Sequence, residues 1–382
     1  MHTDSLQPAG RYTRRMALQL ATAATILGAR SAACADTRAS SSTGQQPARA
    51  ESTMRTPIAA VITPPQNPNF PLPPSWETEV RELAPNVYAY IQGGGPGKSN
   101  VGRSNAMFIV GKENIFLVDA LAAPLHTKAM VAAIRRVSDK PFRFVVNSHY
   151  HPDHVFGNQF IPDRPDVISS PFTRQQVLPM VSGPAHWEAQ PGWANGDEER
   201  RILPATITIE GKTTVYAGDV VIELLPLAPA HTYGDVAVYL PQLKVMALGD
   251  IGFFYVAPFC ISGNPSEWLK VCDRIEQMDV DTMVPGHGPV GGKAQLAEMA
   301  DYLRVLRMEA KKRYDARLTP GAAAADISLG KFDNWVGPEQ IVMNVVRFYM
   351  EFDGTLGPAA NLLGTNAAVQ EYNSIVRGRG AK

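Results

Sequence analysis

Three histidines and an aspartate, His149, His151, Asp153 and His154, fall within six residues of the stretch NSHYHPDHVFGN at 147–158, in a chain with only eight histidines. Neutral imidazole and carboxylate are the usual ligands of zinc and similar divalent ions, so this density calls for a chemical reason. Directly upstream, Phe144, Val145 and Val146 form a short apolar run that reads as a buried strand, which places the cluster on the loop at its carboxyl end. Side chains two apart in an extended segment point the same way, so His149 and His151 can grip one ion. Pro152 then redirects the chain, and Asp153 and His154 can address a second ion close by. A polar loop whose histidines merely hydrogen-bond would rarely concentrate ligands this way.

The HxHxDH pattern made by these residues resembles the signature of the metallo-β-lactamase superfamily of binuclear metallohydrolases. That resemblance implies three further ligands, and each has a candidate after a strand-like run: His231 in PAHTYGD, Asp250 at the end of VMALGD, and His287 in VPGHGPVGG. By the same resemblance, His149, His151 and His231 hold one metal, Asp153, His154 and His287 hold a second, and Asp250 bridges them. The implied fold is α/β, an αββα four-layer sandwich of two similar halves packed face to face, with a helical carboxyl-terminal extension. The likeness covers roughly residues 84–300.

Two zinc ions are the expected cofactors, with iron or manganese as alternatives. A metal pair about 3.5–4 Å apart can share a hydroxide, lowering the pKa of bound water from about 15.7 to roughly 7 and making a nucleophile at neutral pH. Asp153 would position that hydroxide and shuttle its proton. Tyr233, two residues after His231, is a candidate donor to an oxyanion or leaving group, although a tyrosine packed on its own loop is the stronger reading. Asp250 discriminates within the family. Metallo-β-lactamases usually carry cysteine or serine at that place, whereas a bridging aspartate resembles the glyoxalase II and lactonase branch, which cleaves thioesters and lactones. The expectation is an exported hydrolase of a thioester, lactone, ester or β-lactam, acting on a small molecule. Two alternatives stand beside it: a mononuclear iron persulfide dioxygenase, which shares the signature, and a non-catalytic periplasmic protein that handles metal or cofactor.

Composition narrows the class. Lys and Arg total 36, as do Asp and Glu, which removes the electrostatic argument for nucleic-acid binding. A 45% apolar content supports a sizeable core, and 382 residues fit one α/β domain with extensions. Arg14 and Arg15 precede an uncharged apolar run at 16–27, and Ala33-Cys34-Ala35 offers a cleavage site before Asp36. The arrangement resembles a twin-arginine signal over residues 1–35, with a lipoprotein signal at Cys34 as the alternative. The run is too short for a stable membrane span, so the expected location is periplasmic or secreted. Cys260 and Cys272 form an even pair that could bridge there, although Cys272 falls in a predicted helix.

The elements that must position these ligands follow from periodicity. Residues 36–75, rich in Ser, Thr, Ala and Pro, read as a disordered and then extended tether, 76–300 as the catalytic domain and 301–382 as the helical extension. Strands are predicted at 87–92, 105–110, 115–118, 206–209, 213–216, 220–225, 236–240, 245–248 and 282–285. Helices are predicted at 125–137, 265–278, 293–317, 320–327 and 338–353. The extension is similar to that of periplasmic zinc metallohydrolases linked to sulfur oxidation and quinoprotein systems. Asp119, at a strand end, is a candidate acceptor that orients a ligand histidine, with a plain turn carboxylate as the alternative. His126 and His186 read as structural. Gly97-Lys98-Ser99 resembles the end of a phosphate loop without completing it, and residues 171–201, with Trp187 and Trp193, read as an irregular wall or lid.

Overall fold

The computed structural model describes residues 58–98, 103–183, 186 and 197–380. The expected export signal, the first part of the expected tether, Ser99, Trp187 and Trp193 lie outside the described residues.

Two mixed sheets form the centre. The first holds β1 (Glu79–Ala84), β2 (Val87–Ile91), β3 (Ala106–Val110), β4 (Ile115–Val118), β5 (Phe142–Val146), β6 (Asp166–Ser169) and β7 (Ile207–Thr208) in that spatial order. The second runs from β8 (Thr213–Ala217) at one edge through β9 (Val220–Pro226), β10 (Val236–Leu240) and β11 (Val245–Phe253) to β12 (Thr282–His287). Pairing is antiparallel up to β4 and up to β11, then parallel from β4 to β7 and between β11 and β12. Parallel neighbours need crossovers, and helices α1 (Pro124–Arg135) and α4 (Pro265–Glu276) supply two of them.

β4 shows how alternation sorts the layers. All four of its side chains are buried. Phe116 and Val118 enter the core between the sheets with Leu224, Val238 and Met246, while Ile115 and Leu117 face α1 beside Met130 and Ile134. On the far side of the second sheet, Trp268, Cys272 and Ile275 of α4 join Leu296, Met299 and Leu303 of α5 (Lys293–Asp315). The order is therefore helix, sheet, sheet, helix, each apolar side chain worth roughly 1.5–3 kcal/mol when fully buried.

Several expectations need correction. Residues 171–201 are not wholly irregular: Ser170 accepts from the Thr173 amide and caps α3 (Pro171–Val177). Helix α5 runs straight across position 300, and residues 55–382 form one compact unit, so no boundary falls there. Beyond α5 come α6 (Pro320–Asp326), α7 (Ile341–Phe352) and α8 (Leu362–Gly380). The later part of the tether is docked rather than loose. Asn366 and Asn373 of α8 accept from the Ala59 and Ile62 amides at 2.8 Å each, and Asn334 accepts from the Asn67 amide at 2.7 Å. Cys260 and Cys272 are free, buried thiols rather than a bridge, and burial pushes Cys260 up to about 12. No helix among the described residues is long and apolar enough to cross a membrane.

Candidate metal centre

Six of the seven predicted ligands sit at or beyond the carboxyl end of a strand, and Asp250 lies within β11, three residues before its end. β5 delivers His149 and His151, and the short helix α2 (Pro152–Val155) turns Asp153 and His154 back toward them. The β9–β10 loop carries His231, β11 carries Asp250, and β12 ends on His287. Two irregularities in β11–β12 pairing make room for the carboxylate. At Gly249, φ is 53°, and a Cβ would lie 2.5 Å from the Ser148 side chain. At Gly286 a Cβ would lie 1.9 Å from Asp250 Oδ1.

The seven donors form two adjoining groups, His149, His151, His231 and Asp250 in one and Asp153, His154 and His287 in the other, with ligand atoms inside each lying within 4.8 Å of one another. His231 Nε2 is 2.8 Å from His151 Nδ1 and 3.2 Å from Asp250 Oδ2. Asp250 spans both groups: its Oδ1 is 3.1 Å from His154 Nε2, and its Oδ2 is 3.4 Å from His287 Nε2. Ligands about 2.0–2.1 Å from a tetrahedral ion stand roughly 3.3 Å apart, so these spacings suit shared ions. Buried His149 Nε2, His154 Nε2 and Asp250 Oδ1 have no hydrogen-bond partner among the described residues. Orphaned donors and acceptors of this kind fit a metal.

Neighbouring side chains fix the ligand orientations. Asp119, at a φ of 62°, accepts from the Ser148 amide and hydroxyl at 2.7 Å each, and its Oδ2 lies 2.8 Å from His154 Nδ1. Its role as the acceptor behind a ligand histidine is thus met in geometry. Thr232 donates its amide and hydroxyl to Asp235, bracing the His231 loop, and burial pushes Asp235 up to about 7. Trp268 packs edge-on to His231, and Phe253 stacks on His287 at 5.0 Å. Asn105 joins the two sheets here, donating to Pro285 O and Gly288 O at 3.0 and 2.8 Å.

Electrostatics divide the two groups. Burial drives His149 well below the ordinary imidazole range, His151 to about 4 and His231 to about 3. Burial also opposes charge on His154 and His287, but Asp250 and the other carboxylates outweigh it, holding His154 well above its usual range and His287 at about 9. For Asp153, burial pushes up while His154 and His287 pull down to about 2; Asp250 falls well below the carboxylate range for the same reason.

A cavity of about 720 Å³ opens over the cluster. Asp153, Asp250, His151 and His287 reach it, together with Tyr150, whose ring stands edge-on to His151 and whose hydroxyl donates to Ser262 at 2.8 Å. Sequence reading passed over Tyr150, although its place between two ligands was a usable signal. Ser262, which is 3.3 Å from His151 Nε2, gave none. Tyr233 packs against Phe172 instead, with ring centres 6.1 Å apart, and does not line the cavity. His126 lies in α1 and His186 pairs with Glu199, both outside the two ligand groups.

Residues 99–287 match the model of the metallo-beta-lactamase superfamily. A linear primary-alkylsulfatase from a Pseudomonas species is 24% identical over 226 residues, 49% of this chain and 42% of the relative. A hydroxyacylglutathione hydrolase from Thermosynechococcus vestitus is 22% identical over 166 residues, 43% of this chain and 56% of the relative. The chain thus spans about half the length of these curated relatives. Among solved structures, a stereoselective inverting sec-alkylsulfatase from Pseudomonas superposes with a TM-score of 0.54 at 19% identity, covering 72% of this chain and 50% of that one, a likeness of fold.

Proposed function

We propose, from the premise that residues 99–287 make the chain a member of the metallo-beta-lactamase superfamily, that it is a two-zinc hydrolase of an uncharged ester-like bond: a thioester, lactone, ester or β-lactam. One observation carries this reading: seven donors in two adjoining groups, with Asp250 between them. When bound, the metal pair supplies Lewis acidity and brings the pKa of a water near neutrality. His149, His151 and His231 would hold one ion, Asp153, His154 and His287 the other, and Asp250 both.

The chain's own residues do the rest. The Asp250 side chain is 3% exposed and wedged among imidazoles, which suits a bridging ligand. Asp153 is 17% exposed and opens into the cavity, so its free oxygen is the one placed to hold and pass on a proton from the attacking water. Asp119 keeps His154 oriented. Phe253, Val256 and Phe259 exclude water around the reacting bond. Among the described residues no Lys or Arg lines this cavity, so positive charge there would come from the metal pair. The leader at residues 1–35 supports export, and Arg14→Lys with Arg15→Lys would retain the protein in the cytoplasm if the twin-arginine reading holds.

Elemental analysis of the purified protein, together with turnover of a thioester, a lactone, an aryl ester and a chromogenic β-lactam, tests the proposal. Two zinc ions per chain and turnover of one of these substrates are expected. One iron per chain with oxygen uptake on a persulfide would replace the hydrolase by a dioxygenase.

A further inference from the structure

Helix α7 carries two buried polar side chains one turn apart, Asn344 and Arg347, the latter only 1% exposed. Both are spent on the backbone of loops that wall the cavity. Asn344 accepts from the Cys260 amide and donates to Pro258 O, at 2.8 Å each. Arg347 serves carbonyls instead of a carboxylate. Its Nε donates to Gly263 O at 3.1 Å, its Nη1 to Ala359 O at 3.1 Å, and its Nη2 to Gly357 O at 2.8 Å and also to Gly263 O. A guanidinium is costly to bury even when its donors are met, so one kept here points to a demand on the loops it joins.

Those loops meet different parts of the site. The first, at 258–263, brings Phe259 and Ile261 to the cavity and abuts the metal centre. The Phe259 and His151 rings are 6.3 Å apart, Ser262 Oγ is 3.3 Å from His151 Nε2, and a Cβ on Gly263 would lie 2.6 Å from His231 O. The second, at 357–360, forms the outer wall through Pro358, Ala359 and Ala360, beside Val61, Met343 and Leu362. One side chain therefore sets the distance between the ligand cluster and an apolar wall. Away from the ligands, Gln176, Glu339 and Gln340 are the polar exceptions in the lining, and no described residue there is a cation.

We propose that the substrate carries an apolar acyl chain which lies on this wall, and that Arg347 is the positioning residue that holds the wall in register with the metal cluster. The acyl side is chosen because all four candidate bonds share an acyl carbon. This deepens the hydrolase reading and rests on it for the bond that is cut.

The test uses the zinc-loaded chain with 4-nitrophenyl acetate, butanoate, hexanoate and octanoate. kcat/KM should rise about two- to fourfold per added methylene, through KM. A flat or falling series overturns the acyl-chain site. Arg347→Met removes every N–H and should lower the octanoate-to-acetate ratio of kcat/KM about tenfold through KM, with Arg347→Lys in between. Equal losses on both esters overturn the positioning role. Should Arg347→Met fail to fold, Ala360→Phe fills the wall without removing a bond to these carbonyls, and should lower the same ratio about tenfold. An unchanged ratio there overturns the proposal. If no ester turns over, the hydrolase reading fails, and calorimetric titration with acetate and octanoate decides recognition separately. Octanoate binding at least about tenfold tighter, and weakened by Ala360→Phe, sustains the wall assignment; equal affinities end it.

Discussion

The floor and the walls of the cavity are built on opposite principles. The floor is polar, with its seven donors gathered at the ends of β5, β9, β11 and β12 and held by short bonds such as Asp119 to His154. The walls are mostly apolar and come from distant parts of the chain, the segment at 58–62 and the extension at 339–362. Chemistry at the floor depends on which atoms are present; selectivity at the walls depends on how they are packed. A change in the floor should therefore abolish the reaction, and a change in the walls should redirect it.

Asp250→Ala is the most severe test of that contrast. Removing the carboxylate that touches both ligand groups should cost on the order of a thousandfold in kcat and leave at most one ion per chain by elemental analysis. Two ions and a normal rate in this variant would defeat the assignment of the floor.

The two halves of the floor should also part with pH. His154, held well above its usual range, and His287, held up to about 9, both carry a proton at neutral pH that an incoming ion must displace, so uptake there weakens as pH falls, by up to about tenfold per pH unit for each of the two protons. His151 at about 4 and His231 at about 3 are already unprotonated, so their half should bind evenly from pH 6 to 8. Calorimetric titration of zinc should show one affinity dropping by more than about a hundredfold between pH 8 and 6 while the other holds; parallel slopes would erase the distinction.

Asp119→Asn probes the support beneath the floor. Loss of the charged acceptor behind His154 should reduce metal affinity or activity about 10–100-fold with the fold intact. An unchanged affinity would reduce Asp119 to a turn residue.

The mildest effect belongs to the walls. Asn373→Ala removes the acceptor for the Ile62 amide and the donor to Ala60 O, loosening the segment that brings Val61 to the cavity. A stability loss of about 1 kcal/mol and a few-fold rise in KM for apolar esters are expected, with kcat unchanged. A fall in kcat instead would mean that wall and floor are not separable.

Much of the floor was legible in advance because metal ligation limits the residue types and β-strand geometry limits their spacing. His149, His151, Asp153 and His154 announce themselves within six residues, and His231, Asp250 and His287 each follow an apolar run. β4 was equally readable, since IFLV alternates between two buried faces. Other elements gave weaker signals. α8 contains glycines and asparagines that depress helix propensity; its place is decided by α6, where a Cβ on Gly321 would lie 2.5 Å from Ala368 O. Tyr233 packs on Phe172 and Tyr150 reaches the cavity beside Ser262 because loop side chains answer to such neighbours, which sequence proximity does not disclose.

By itself, the sequence marked out the candidate donors and the strands that deliver them from residue type and local period, and its family resemblance implied the αββα layering. Only the tertiary structure decided the cavity. Its walls depend on contacts such as Ile62 with Asn373, separated by 311 positions. Local patterning carries no record of contacts closed across that much chain; they appear only when the whole core has formed.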